Sequence, residues 1–228
     1  MVAGNSSFIP HPSSFKNRRR AGAKSGVAAL REFVRPRAMV ERCDLCGVQI
    51  SEGHHHLFEP ASRRIACACQ PCAILFDHQG AGRYRRVPTR VRELTDFRLD
   101  DLQWAALTLP IDLVFFVNSS AAGKMLAYYP SPAGATESQL HFETWDEIVR
   151  DNPFLAKLEP DVEALLINRI GDARRYYIAP IDECYKLIGL IRSHWRGLSG
   201  GVEVWSRIEE FFAALSARAG KPVTNSRI

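Results

Sequence analysis

Three features predict an α+β protein. Strand-length apolar runs come in pairs, IDLVFFVN with KMLAYY and VEALLINRI with RRYYIAPI, each pair joined by a short Gly-containing connection and followed by a helical stretch. Short runs separated by turn residues pair as antiparallel hairpins, and a following helix buries its apolar stripe on the sheet so formed. Ahead of them, five of the six cysteines fall within thirty residues, as Cys43-x2-Cys46 and Cys69-x2-Cys72 with Cys67 just upstream of the second pair. The expected architecture is an antiparallel sheet of about four strands with helices on one side, preceded by a small module of zinc-ribbon or treble-clef type. The predicted boundaries are a tail over 1–26, a helix plus cysteine-rich module over 27–88, and an α+β domain over 89–220.

The tail is rich in Ser, Gly and Arg and poor in large aliphatics, so it cannot bury enough surface to offset the entropy of ordering, and it is expected to be disordered. It also carries the charge. Residues 1–40 hold eight Lys/Arg and one Glu, leaving twenty-two Lys/Arg against twenty-four Asp/Glu in the rest. A chain of net charge +5 thus has a slightly acidic body, which disfavours nucleic acid as the partner. Arg18-Arg19-Arg20 is followed by no apolar stretch of the kind an export signal needs, and no run is long enough to span a membrane, so a cytoplasmic protein is expected. Residues 27–34 (VAALREFV) have helical spacing and end before Pro36.

In the module, each C-x2-C loop can turn two thiolates toward one point, and two loops supply four soft ligands in the tetrahedral arrangement that zinc and mononuclear iron accept. Disulfides are disfavoured, because the chain is long enough for a core that needs no cross-links and no secretory leader is recognisable. Cys43, Cys46, Cys69 and Cys72 are therefore the candidate metal ligands. Cys67 is a possible additional one. The stretches GVQISEGHHHLFEP and ASRRIACA between the knuckles fit a β-hairpin, on which Cys67 and Cys69 would share a face. His54, His55 and His56 stand near its tip; either His54 and His56 or His55 alone could turn toward a metal, although a site already closed by cysteines needs none of them. AILF after Cys72 reads as a helix start or a buried strand end.

Along the body, Asp100-x-x-Gln103 reads as a capping box that opens the helix DLQWAALTL before Pro110. The two strands that follow lead to PSPAGATES, read as a loop, and to the helix WDEIVRDN, capped through Thr144-x-x-Glu147. After the second strand pair comes the strongest helix, DECYKLIGLIRSHW, on whose apolar stripe Cys184 reads as a small core residue. A last helix over 202–217 presents Val204, Ile208, Phe211, Phe212 and Leu215 on one side.

Little else suggests chemistry. The glycines after His194-Trp195-Arg196 could cradle an anion, but they follow no strand and lack a phosphate-loop pattern; Ser199 as an N-cap and a tight turn between helices explain them. Asp182, Glu183 and His194 sit where helix ends favour their charges. A nuclease of the HNH type would need more histidines than the stretch after Cys72 offers, with only Asp77 and His78 there. No nucleophile, Rossmann or phosphate-loop signature occurs, so the chain is not expected to be an enzyme.

The blocks RCDLCG, HHHLFEP, ACACQPCAILFD, AAGKMLAYYPSPAGATES, DNPFLAKLEPDVEALLINR and PIDECYKLIGLIRSHWRGLSGG together resemble a bacterial family of unknown function encoded in gene clusters of nickel-iron hydrogenases. The resemblance runs over about residues 38–216 and includes all five clustered cysteines. It implies an accessory protein that assists assembly, maturation or electron supply of such an enzyme, with a hydrogenase subunit or maturation factor as partner. Zinc is the expected metal, with a rubredoxin-like iron site or an iron-sulfur cluster that also uses Cys67 as the alternative. Gly47 directly after the first knuckle favours iron; Ala73 after the second does not.

Overall fold

Side chains alternate faces along a strand, and the apolar runs of the body place large residues on both. In the computed structural model, which describes residues 40–77, 82–140, 142–197 and 200–219, this produces two cores divided by one sheet. The body strands are β4 (Arg92–Glu93), β5 (Leu113–Ser119), β6 (Lys124–Ser131), β7 (Gly134–Ser138), β8 (Glu163–Asn168) and β9 (Arg175–Pro180), in the order β4-β9-β8-β5-β6-β7 with every pairing antiparallel. Phe115, Leu166 and Tyr177 face one side with the helices Ile181–His194 and Gly201–Ala219. Phe116, Leu165 and Ile178 face the other with Leu107, with Trp145 and Ile148 of the helix Phe142–Asp151, and with the 3-10 turn Pro153–Lys157.

The sheet is thus larger than the four strands expected, and helices cover both faces instead of one. Both differences have a physical source. The added strands β4 and β7 are the edges, and an edge strand need not bury a row of large side chains. GATES, inside the stretch read as a loop, exposes Ala135 and Glu137 and carries no large apolar residue at all. The double cover is permitted by near-continuous apolar runs such as LVFFV and ALLI, which suit strands buried on both faces. A third expectation also fails: Thr144 lies inside its helix, which starts at Phe142. The Asp100–Gln103 capping box is present in full, Gln103 N donating to Asp100 Oδ1 at 2.7 Å and Asp100 N to Gln103 Oε1 at 3.1 Å.

The cysteine module has its own three-stranded sheet, β2-β1-β3, from β1 (His55–Glu59), β2 (Arg64–Ala68) and β3 (Arg85–Arg86). Between β2 and β3 runs the six-residue helix α1 (Gln70–Leu75), so AILF continues a helix. The hairpin's two faces look different ways. Leu57 is buried with Cys43, Ala68, Cys72 and Ala73 in a small core of the module. Phe58, one residue on, joins Val87 and Val91 in the larger core of the body, with its ring 6.5 Å from that of Tyr185. Arg85 of β3 adds an ion pair at 2.8 Å to buried Asp161, whose Oδ1 accepts from Ser120 N in the β5–β6 turn. The described residues belong to one compact unit. The basic tail and the helix expected over 27–34 lie outside the described residues.

Candidate metal centre

The first cysteine pair sits on a tight ribbon. Arg42 and Gln49 form an antiparallel bridge, Cys43 N donates to Val48 O and Gly47 N to Cys43 O, both at 2.8 Å. The return needs a left-handed residue at position 47, and Gly47 supplies it at φ +74° without the steric penalty of a Cβ. Asp44, inside the loop, fastens it to β2 by two bonds: Asp44 N donates to Cys67 O at 2.8 Å, and Cys67 N donates to Asp44 Oδ2 at 2.7 Å. Nothing in the sequence pattern marked this role for Asp44.

The second pair sits where strand becomes helix. Cys69 follows β2 in extended conformation and caps α1, Pro71 occupies the first turn, where a missing N–H is harmless, and Ala73 N donates to Cys69 O at 2.8 Å. One helical turn then carries Cys72 to the side of the helix where Cys69 already points. Knuckle, hairpin and helix together bring the sulfurs of Cys43, Cys46, Cys69 and Cys72 within 4.8 Å of one another. Cys46 Sγ and Cys69 Sγ are 3.6 Å apart, close to the ~3.8 Å between two ligands of a tetrahedral ion with metal–sulfur bonds of about 2.3 Å. Cys43 and Cys72 are buried and Cys46 is exposed, so the set lies at the module's surface with one edge in the small core. All six cysteines are free. The four-cysteine group could hold a metal ion.

The thiols perturb one another. Burial alone would raise Cys43, but the N–H groups of Cys69, Cys46 and Leu45 aimed at its sulfur outweigh that and bring its pKa down to about 6. Burial raises Cys72 to about 12, helped by hydrogen bonds that use its proton among the neighbouring sulfurs. The Val48 backbone N–H lowers Cys46, but the hydrogen bonds with Cys43 and Cys69 and partial desolvation together outweigh it, and Cys46 is raised as well. At neutral pH Cys46 and Cys72 therefore keep their protons in the metal-free set, and a bound ion must displace at least these two. Metal affinity is expected to fall by at least about two powers of ten for each pH unit below 8, and more steeply below about 6 where Cys43 also takes a proton. Calorimetric titration of the metal in buffers of different ionisation enthalpy counts the protons released; fewer than two would contradict the assignment.

Cys67 is not among those four. It is the cross-strand neighbour of His56, and its sulfur lies with ring nitrogens of His54 and His56 in a second group, all within 4.8 Å of one another. Burial raises the Cys67 thiol, and the carboxylates of Asp44 and Glu41 add to the shift. His55 points elsewhere, toward Arg86 at 3.3 Å, and burial together with that guanidinium lowers its pKa.

The remaining candidates have structural places. Cys184 is fully buried in the larger core, which holds its thiol well above the usual range. Glu183 pairs with Arg218 at 2.7 Å and Lys186 at 3.5 Å, and His194 Nδ1 lies 2.9 Å from Leu190 O on its own helix. Asp182 instead reaches the module, its Oδ2 lying 2.7 Å from His56 Nδ1. The two residues are 126 positions apart, so no local pattern could announce the contact. In the glycine-rich turn, Arg196 and Gly200 bridge the chain, and a Cβ on Gly200 would meet Val204 at 2.8 Å, which accounts for the glycine by packing alone. Ser199 lies outside the described residues.

No helix among the described residues is long and apolar enough to cross a membrane. No curated protein and no solved structure matches the chain. The sequence model of a family of unknown function, DUF5947, matches residues 42–219, from the first knuckle to the end of the last helix, and the chain belongs to that family.

Proposed function

We propose that this is a zinc-dependent accessory protein, without catalytic activity of its own, that docks on a component of a nickel-iron hydrogenase. The observation that carries the metal part is the convergence of Cys43, Cys46, Cys69 and Cys72 from a knuckle and a helix start, the treble-clef order, with no position left for substrate. A closed set of four thiolates serves folding in most proteins that have one. The hydrogenase part is supported by the resemblance of the blocks RCDLCG, ACACQPCAILFD and PIDECYKLIGLIRSHWRGLSGG to a family encoded beside such enzymes. A docking surface adjoins the metal: Ile74, Leu75 and Phe76, at the end of α1, are exposed at 61, 65 and 38 %. Three consecutive apolar side chains facing water on a helix that starts at the metal are better explained by a partner than by the fold.

Affinity purification from native cells tests the reading. Tagged protein should carry one zinc in the four-thiolate site and recover a hydrogenase subunit or maturation factor. The double variant Ile74→Asp, Leu75→Asp should keep that zinc and lose the partner. Protein isolated with less than about half an equivalent of zinc plus iron would remove the metal reading. Recovery of nucleic acid alone, released by salt and dependent on Arg18 to Arg20, would remove the partner reading.

One observation favours iron in place of zinc. Cys46 is exposed, which would give an electron a short path to a redox partner, and Gly47 follows it as in rubredoxin knuckles. Oxidised iron–thiolate absorbs visible light, so a colourless preparation with stoichiometric zinc eliminates electron transfer.

A further inference from the structure

The second group faces the opposite side of the hairpin from Leu57 and the four cysteines' small core. His56 and Phe58 alternate with Leu57, so both point toward the body, His56 onto Asp182 and Phe58 onto Tyr185 of the same helix. Cys67 stands opposite His56 across the β1–β2 ladder, and His54 precedes β1 on the His56 side. A histidine pair and a cysteine therefore meet at the seam between module and body, sharing no residue with the four-cysteine set.

Hydrogen bonding assigns the tautomers of both rings. His56 Nδ1 lies 2.7 Å from Asp182 Oδ2, and His54 Nδ1 lies 3.0 Å from Ser51 O and 3.4 Å from Glu41 Oε2. All three partners are oxygens that only accept, so each Nδ1 carries a proton, and with both rings neutral each Nε2 is left with a lone pair. Yet the two Nε2 atoms face each other at 3.2 Å with the rings nearly perpendicular, at 87°. Two lone pairs at that separation repel unless a cation lies between them. Two imidazole ligands on a tetrahedral ion with metal–nitrogen bonds of about 2.0–2.1 Å are ~3.3 Å apart, so the observed spacing fits a shared metal as well as a shared proton, and the Cys67 sulfur beside both rings supplies the third ligand that a metal needs.

We propose that His54 Nε2, His56 Nε2 and Cys67 Sγ form a second metal site, separate from the four-thiolate site, that takes a divalent transition metal such as zinc. Imidazole and thiolate are the donors such borderline ions prefer. Asp182 is a positioning residue: its carboxylate fixes the His56 tautomer and orientation, the role an acidic partner has behind most metal-bound histidines. The protein supplies three ligands, and the fourth position is left to water or a small ligand. A cleft of about 280 Å³ lined by His54, His56, Asp182, Lys186 and Arg218 gives access to it. Three protein ligands plus an open position distinguish this site from the closed one beside it. An ion there joins β1 and β2, and through Asp182 it links the module to the helix Ile181–His194.

Metal titration of the full chain after chelation tests the proposal, with zinc for stoichiometry and cobalt(II) as a spectroscopic probe. The wild-type protein should bind two equivalents, the tighter with a four-thiolate cobalt spectrum and the second with weaker thiolate charge transfer and a mixed nitrogen–sulfur ligand field. The double variant His54→Gln, His56→Gln should lose the second equivalent and keep the first, whose spectrum shows that the module is folded. Asp182→Asn, which lies outside the module, should weaken the second equivalent by about 10- to 100-fold and leave the first unchanged. Binding of only one equivalent by the wild-type protein would overturn the proposal and leave a proton shared between the imidazoles as the cause of their approach. So would loss of both equivalents from the histidine variant, which would mean a single site.

Discussion

Cys72→Ser is expected to remove the four-thiolate metal and unfold the module while the body sheet stays intact. Cys72 is 8 % exposed and stands where the small core of Cys43, Leu57, Ala68 and Ala73 meets the metal set. Among the described residues that core holds five buried ones, too few to hold knuckle, hairpin and helix together on their own. In small modules of this kind a structural ion contributes on the order of 10 kcal/mol of binding energy that is also folding energy. A hydroxyl in place of a thiolate forfeits most of it. Elemental analysis should show at least the four-thiolate equivalent lost. Hydrogen exchange should show the amides of Cys43, Gly47 and Ala73 unprotected, while those of β5 and β8 keep the wild-type pattern. Cys43→Ser, Cys46→Ser and Cys69→Ser should behave alike. Cys67→Ser should spare this ion, since the Cys67 sulfur is grouped with His54 and His56; if Cys67→Ser abolished it and Cys69→Ser did not, the ligand assignment would be wrong by one residue.

Phe116→Ala is expected to destabilise the body by about 3–5 kcal/mol. Phe116 lies at the centre of the sheet, paired with Ala127 on one side and Leu165 on the other, and none of its surface is exposed. Its ring stacks on Trp145 at 4.8 Å, so truncation leaves a cavity and strips one face of the tryptophan. β-strands on both sides and a helix above leave little room for collapse into the gap, which places the cost toward the upper end for such changes. Urea unfolding followed by tryptophan fluorescence measures it, and a change below about 1 kcal/mol would mean that the second core is loosely packed. Metal content should not change, because no residue of this core belongs to the module.

The amino-acid sequence alone determined most of the features that depend on neighbours a few positions apart. The C-x2-C pairs specify two loops whose sulfurs converge because the knuckle and the first helical turn each bring residues three apart to one side. The Asp100–Gln103 box and the stripe Val204, Ile208, Phe211, Phe212, Leu215 are local periodicities, and both stand in the structure as read. Local alternation misled at Cys67 and Cys69. Two residues apart on one strand they would share a face, but the chain leaves the strand at Ala68 and turns into α1 at Gln70, so Cys69 swings to the four-thiolate set while Cys67 stays with His56.

Only the tertiary structure decided what distant segments do to one another. Whether a strand is interior or edge depends on which partners reach it, and β4 and β7, which carry no apolar row, have no strand beyond them among the described residues. Whether a sheet has one covered face or two depends on where the helices return, which the apolar runs of β5 and β8 permit but do not dictate. Asp182 became the partner of His56, not merely a favourable charge at a helix start, because β1 packs across that helix. Contacts of this kind carry no sequence period: they arise when burial of Phe58 and Tyr185 brings two elements together, and the polar groups beside them must then find one another or remain buried unpaired.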